Sequence, residues 1–300
     1  MDLSVELAGV VLPHPVLVAA GCGGTGAELH RFTDIASVAG FVTRTITLDP
    51  VEDPAAGALA RVSGSPSGVV AADGWPNPGL QSFLTSELPL LAASGARTFV
   101  SVAGRTLAEY AELARRLGTA PGVCGLEVTS AERDPLQLGR IVHVSRRDLP
   151  RGMPLLVKLA MSPLAVEQAQ AAAENGADSV VLGRGPDALC LEPSTLAPRP
   201  GSAHSTLSGP AVRPLALRTV YDVHAALPHV PLVGVGGVCT GRDALAMLAA
   251  GASAVQLGTV LLSDPAAPGR VVDELAEELS NRRIDSVRDV VGVAQRAGVR

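Results

Sequence analysis

The sequence predicts a single-domain (β/α)8 barrel spanning residues 1–300. Three observations carry the prediction. Short apolar runs recur eight times, they lack the apolar–polar alternation of a sheet with one wet face, and most are followed by an amphipathic helical pattern. No linker marks a second domain. Hydrophobic residues make up 47% of the chain and charged residues 18%, enough for a large core, and with 2% aromatics that core must be built from Ala, Val and Leu.

In chain order the runs are Val16–Ala20, Gly40–Thr45, Thr98–Val102, Gly125–Thr129, Pro154–Lys158, Ser179–Gly183, Pro231–Val235 and Ala254–Gly258. Each has the length of a strand buried on both faces. Helices are expected over Leu107–Leu117 and Leu164–Asn175, the second stopped by Asn175-Gly176 before the sixth strand. Gly-Ala-Asp at 176 and Gly-Ala-Ser at 251 repeat the same device just ahead of a strand. A dinucleotide-binding half competes, because Gly21-Cys-Gly-Gly-Thr-Gly26 matches G-x-G-x-x-G after a strand. The acid expected at the end of the second strand of such a fold is absent; Arg44 stands there. Eight strands fit the barrel better.

Several function classes are set aside by composition. Net charge is −5 and the arginines are scattered, so nucleic acid is not an expected partner. No apolar stretch nears the ~20 residues of a membrane helix. Asp2 and Glu6 replace the basic start of a signal peptide. Cys22, Cys124, Cys190 and Cys239 lack C-x-x-C spacing, which argues against zinc, iron–sulfur clusters and disulfides. A reduced, cytoplasmic protein without a bound metal is expected.

Lys158 is the one lysine among 24 basic residues; the other 23 are arginines. Lysine is a compact point charge that can also act as an amine, whereas guanidinium is planar and permanently charged. At the end of the fifth strand it is either a charge aimed at one atom or a Schiff-base nucleophile, unless it is a chance survivor. Barrel enzymes carry their chemistry at the C-terminal ends of the strands, often with phosphate at strands seven and eight. Strand seven ends in Gly234-Val-Gly-Gly237 and strand eight in Gly258-Thr259. Glycines there let backbone N–H groups approach an anion, and the helix opening at Thr240 adds a favourable dipole. The plain alternative is that these glycines are steric. A phosphate site joined to a strand-five lysine fits FMN, with the lysine facing N1 and O2 of the ring; it fits a Schiff-base aldolase less well.

Nearly the whole chain resembles the class 1 dihydroorotate dehydrogenases. The matching stretches are His14-Pro-Val, Thr43-Arg-Thr-Ile-Thr-Leu-Asp-Pro50, Gly74-Trp-Pro-Asn-Pro-Gly79, Val102-Ala-Gly104, Val157-Lys-Leu159, Leu207-Ser-Gly-Pro-Ala211, Gly236-Gly237 with Asp243-Ala-Leu, and Gly251–Thr259. The resemblance implies an FMN-dependent barrel. It places Ala20, Gly21, Arg44, Thr45, Ser101 and Thr129 by the flavin ring and Lys158 at N1. It gives the ribityl phosphate to Gly209, Gly236, Gly237, Gly258 and Thr259. Ser101 stands where the family usually has asparagine.

The substrate half departs from the family pattern. Arg44 replaces a lysine, Ala71 an orotate-binding asparagine, and Arg184 a second asparagine. Where the family has N-x-S-C-P-N and a long loop carrying a cysteine base, this chain reads Thr129-Ser-Ala-Glu-Arg-Asp-Pro135 and enters a helix. Oxidising a C–C bond beside a carbonyl needs a base for the α proton. Glu132 and Ser130 are the candidates, Glu132 against the alternative of a solvated loop carboxylate. Arg44 and Arg184 are expected to favour an anionic substrate, against simple pairing with acids. Trp75 and Asn77 lie in the loop expected to cap the substrate, Trp75 stacking on a planar ring or packing its own loop. Cys22 reads as a small buried thiol, His204 as a reserve acid or base, and Glu127 as half of a buried structural pair.

The expected function is hydride transfer between FMN and a C–C or C–N bond of a small, cyclic, anionic molecule, with dihydroorotate a poor substrate. A Schiff-base lyase using Lys158 and a non-catalytic flavin-binding subunit are the alternatives. A homodimer is expected, with an electron-transfer subunit as a further partner.

Overall fold

In the computed structural model, which describes residues 1–52, 62–65, 67–200 and 202–297, eight parallel strands close into a barrel. They are β1 (Val16–Val18), β2 (Phe41–Val42), β3 (Thr98–Val102), β4 (Val123–Thr129), β5 (Leu155–Ala160), β6 (Ser179–Arg184), β7 (Leu232–Val235) and β8 (Ala254–Leu257). Sequence neighbours pair all the way round, and β8 returns to β1 with Val255 opposite Val16 and Leu257 opposite Val18. All eight predicted runs are the barrel strands; β1 and β2 are shorter than predicted.

Period-two alternation sorts each strand's side chains into two cores. Val16, Val100, Leu126, Leu155, Val157, Val180, Leu232 and Val255 face the helices. Leu17, Phe99, Leu156, Val181, Val233 and Ala254 face inward and fill the lower barrel. Phe99 is the bulkiest of these inner residues. A Cβ at Gly40 or Gly125 would come within 3.0 Å of its ring, so two wall glycines make room for it. Burying such aliphatic and aromatic side chains contributes about 1.5–3 kcal/mol each.

Helices Leu107–Leu117, Pro135–Asp148, Ala165–Glu174, Arg213–Ala226, Gly241–Ala250 and Ala267–Asn281 follow β3 to β8. The first buries Tyr110, Leu113, Ala114 and Leu117 at helical spacing, and the Thr106 side chain accepts from Glu109 N at its start. The second begins at Pro135 with Asp134 accepting from Leu136 N. At the barrel's lower end the hairpin Val5–Leu7/Val10–Leu12 seats Leu7 and Leu12 under the inner core. Over the upper end lies an antiparallel sheet of Asp187–Ala188, Ser205–Ser208, Gly68–Ala72 and Val62–Ser65. Neither addition was predicted. Among the described residues no helix is long and apolar enough to cross a membrane, and no His, Cys, Asp or Glu group is arranged to hold a metal.

Candidate functional site

Above the apolar floor, the next inward positions are polar. Ser101 on β3, Glu127 on β4, Lys158 on β5 and Gln256 on β8 form this layer, and Ser101, Glu127 and Gln256 are buried. Lys158 Nζ donates to Glu127 Oε1 at 3.2 Å and to Gln256 Oε1 at 3.4 Å. Gln256 Nε2 donates to Glu127 Oε2 at 2.7 Å and closes the ring. The Lys158 side chain is 11% exposed and that of Glu127 0%, so the ammonium is the edge of this cluster nearest the barrel mouth. Burial pushes the Cys22 thiol up, while the Lys158 charge pulls the other way. Across the layer, the Thr45 and Ser101 hydroxyls lie 3.0 Å apart, and Ser101 N donates to Thr43 Oγ1.

The predicted glycines converge on one side of this mouth. Gly209, Gly236 and Gly237 have φ of 95°, 123° and 72°, conformations that favour glycine. A Cβ at Gly237 would lie 2.9 Å from Gly209 O, and one at Gly209 3.7 Å from Thr259 Cγ2. Thr259 Oγ1 donates to Ser208 Oγ at 2.9 Å. Thr259 opens a tight turn, Thr259–Leu262, whose leading N–H groups have no partner inside the turn. A Cβ at Gly21 would meet nothing within 4 Å and one at Gly258 only Ala19 and Cys22 at 3.6 Å, so there is open space at both positions. The helix dipole expected at Thr240 is already used. Thr240 and Asp243 form a capping box, Glu274 takes Gly241 N at 2.7 Å, and Arg213 pairs with Asp243 at 2.7 Å. Of the predicted phosphate residues, Gly209, Gly237 and Thr259 form a cradle of backbone that is free of these contacts.

Such a set fits FMN on two observations: a glycine-walled cradle at β7 and β8 for a phosphate, and a held ammonium in the same barrel mouth for an electron-rich ring edge. The chain belongs to the dihydroorotate dehydrogenase family. The family model for dihydroorotate dehydrogenase matches residues 2–279. The chain is 36% identical to the dihydroorotate dehydrogenase B (NAD(+)) catalytic subunit of Desulforudis audaxviator, covering 98% of each chain. It is 34% identical to the protein of the same name from Pelobacter propionicus, covering 98% of this chain and 99% of that one.

The substrate side of this family member is built differently from the cradle. A cavity of about 220 Å³ at the barrel mouth is lined by Asp73, Arg133, Arg184, Asp187, His204 and Ser205, among others. A larger depression of about 550 Å³ lies outside the barrel wall, between residues 32–37 and helix Ala267–Asn281; none of the residues facing Lys158 lines it. Arg184, at the end of β6, pairs with Asp73 at 3.0 Å, and Arg133 pairs with Asp187 at 2.6 Å. Arg44 turns toward Glu87 at 3.7 Å, in the helical segment Phe83–Glu87, and its Nε is buried without a hydrogen-bond partner. Asn77 spends its whole amide inside the protein. Oδ1 accepts from Thr47 N and Gly79 N, and Nδ2 donates to Thr47 Oγ1 and the Trp75 carbonyl. Trp75 is half-buried in the same loop.

The short loop after β4 is also self-contained. Glu132 Oε1 accepts from Arg133 N and Asp134 N, so this exposed carboxylate shapes the helix entry. Ser130 Oγ accepts from Glu132 N, and Tyr110 OH donates to the Thr129 carbonyl at 2.9 Å, anchoring the end of the strand. Burial pushes the Tyr110 hydroxyl up, and a hydrogen bond to Ser130 opposes it. Gln256 and Asp73 were missed in the sequence. Gln256 had a signal: a lone amide inside Ala-Val-Gln-Leu, a strand buried on both faces, where only a buried partner makes it tolerable.

Proposed function

We propose that the protein is an FMN-dependent oxidoreductase whose substrate is a small, cyclic anion other than dihydroorotate. The observation that carries the reading is a held Lys158 ammonium in the same barrel mouth as the Gly209–Gly237–Thr259 cradle. FMN, when bound, supplies a two-electron centre. Gly209, Gly236, Gly237, Gly258 and Thr259 would hold its phosphate, Ala20, Gly21, Thr45, Ser101 and Thr129 its ring, and Lys158 the ring edge that gains negative charge on reduction. A Schiff-base role fits this lysine poorly. Neutral Lys158 would leave Glu127 as a buried, unpaired carboxylate, and breaking such a pair costs about 3–5 kcal/mol.

Arg184, although paired with Asp73, is the group of the mouth that would meet an anion. One of its N–H groups engages Asp73, and a guanidinium has five to offer. With Glu132 turned to its own loop, Ser130 is the proton-accepting group on this side. An unactivated hydroxyl is a poor base, and the names of the relatives, which act on dihydroorotate, do not decide the substrate of a chain that lacks the cysteine of that reaction. Dimerisation, and a partner subunit of the kind that the relatives' name "catalytic subunit" implies for them, belong to the same proposal.

The purified protein is expected to be yellow and to release one FMN per chain on denaturation. Colourless protein that takes up no FMN added in excess would overturn the reading.

A further inference from the structure

Glu127 sits where a carboxylate is least at home. Its side chain is 0% exposed, with Leu126 and Val128 fully buried on either side of it on β4. A lone charge in such a place is strongly unfavourable, and pairing makes it tolerable only when the remaining lone pairs are also satisfied. Both conditions are met by two residues. Lys158 supplies the opposite charge to Oε1 and Gln256 donates to Oε2, while the Gln256 carbonyl takes a second ammonium proton. Three strands, β4, β5 and β8, contribute one member each, so the ring is fixed by the barrel itself. An ammonium has three protons. Two are committed to the ring, and the third is left for the mouth.

We propose that Glu127 and Gln256 are positioning residues that make Lys158 the outward end of a neutral pair. Glu127 sets how much positive field reaches the bound ring, and Gln256 sets its direction. The inference rests on the FMN reading above. It differs from a free lysine in size and range: the field at the ring edge is that of a dipole, not of a whole charge, and it weakens faster with distance.

Charge counting turns this into a pattern. The parent pair sums to zero. Glu127→Gln leaves an uncompensated cation, and Lys158→Met leaves an uncompensated anion. The double variant again sums to zero. Since positive charge favours the reduced ring, the flavin midpoint potential should rise in Glu127→Gln, fall in Lys158→Met, and return close to the parent in the double variant. Each single change should alter the ratio of reduced to oxidised FMN affinity about tenfold, or about 30 mV for a two-electron couple. Glu127 acting only as packing would not produce opposite shifts that cancel.

The single lysine permits a second measurement that needs no flavin. With ¹⁵N-lysine as the label, the chain gives one side-chain ammonium signal. Held in the ring, its protons should exchange with water slowly enough to be seen at neutral pH, and Glu127→Gln should lose that protection. Opposed potential shifts and a protected ammonium support the proposal. An unprotected ammonium in the parent overturns it, even if Glu127→Gln does not fold. So does a Glu127→Gln potential equal to or below that of the parent. A parent that binds no FMN but shows the protected ammonium refutes the flavin reading, and with it the tuning of a flavin, while leaving the ring as a structural device.

Discussion

Asn77 shows how hydrogen-bond capacity separates a ligand contact from a structural clasp. An amide side chain offers two donors and an acceptor oxygen with two lone pairs. All four are used between Thr47, Trp75 and Gly79, at 2.7–3.2 Å. Nothing is left for a substrate. Asn77→Ala would strand Thr47 N and Gly79 N and is expected to destabilise the fold by about 2–4 kcal/mol. Urea denaturation measures this directly. A variant as stable as the parent but impaired in ligand binding would return Asn77 to the substrate side. Arg44 is the converse case: its sequence position suggested a charge over the ring, yet Glu87 at 3.7 Å draws it to the helical segment behind. No periodicity in the sequence relates positions 44 and 87, so only the folded chain could decide between substrate anion and protein acid.

Elements with a long local apolar pattern were legible, and those that are short or made by distant pairing were not. Strands buried on both faces announce themselves as apolar runs, and the eight barrel strands were all read from them. Leu107–Leu117 was read from end to end from its apolar stripe, and the Thr106 cap fixes the same start in the structure. The sheet over the mouth was missed because Val62–Ser65 and Ser205–Ser208 are rich in Ser, Gly and Thr, and Ser205–Ser208 pairs with Gly68–Ala72 across more than 130 residues. The lower hairpin pairs locally and was missed because its strands are only three residues each, and His14 ties it in. His14 Nδ1 accepts from Val16 N at 3.3 Å, and Nε2 donates to the Ser37 carbonyl at 2.9 Å, which requires the neutral ring. Burial pushes His14 below its ordinary value, the Ser37 bond opposes this, and Arg97 adds to it. The unfolded chain therefore takes up the proton first. Stability should be complete above the usual histidine value of about 6.5 and be lost as pH falls through it toward the lower folded value. His224, lowered by burial and Arg296, adds in the same direction. Unfolding free energies measured at pH 7 and pH 5 should differ less in His14→Gln than in the parent; an unchanged difference would remove His14 from the account.

At the scale of the molecule, two halves of one mouth follow different rules. The glycines after β7 and β8 stand out in the sequence, and the structure brings Gly209, Gly237 and Thr259 together from three connections. The other half reads as charged residues paired to one another, Arg184 with Asp73 and Arg133 with Asp187, at the ends of β6 and the loop after β4. Pairing partners on separate loops cannot be read from a linear sequence. The halves therefore predict different fates for the two stages of a redox cycle. With FMN bound as proposed, reduction by dithionite and reoxidation in air need no substrate-binding group and should proceed. Dihydroorotate must also be oriented and lose a proton, and here Ala71 and Arg184 stand in place of amides while Glu132 serves its own loop. Loss of a general base alone slows such a step about 10²–10⁴-fold, and lost orientation adds to it. Anaerobic mixing with dihydroorotate, followed in the flavin band, should show slow bleaching or none. Bleaching within milliseconds to seconds would mean that Ser130 or His204 is an effective base and that the paired arginines open to admit this substrate.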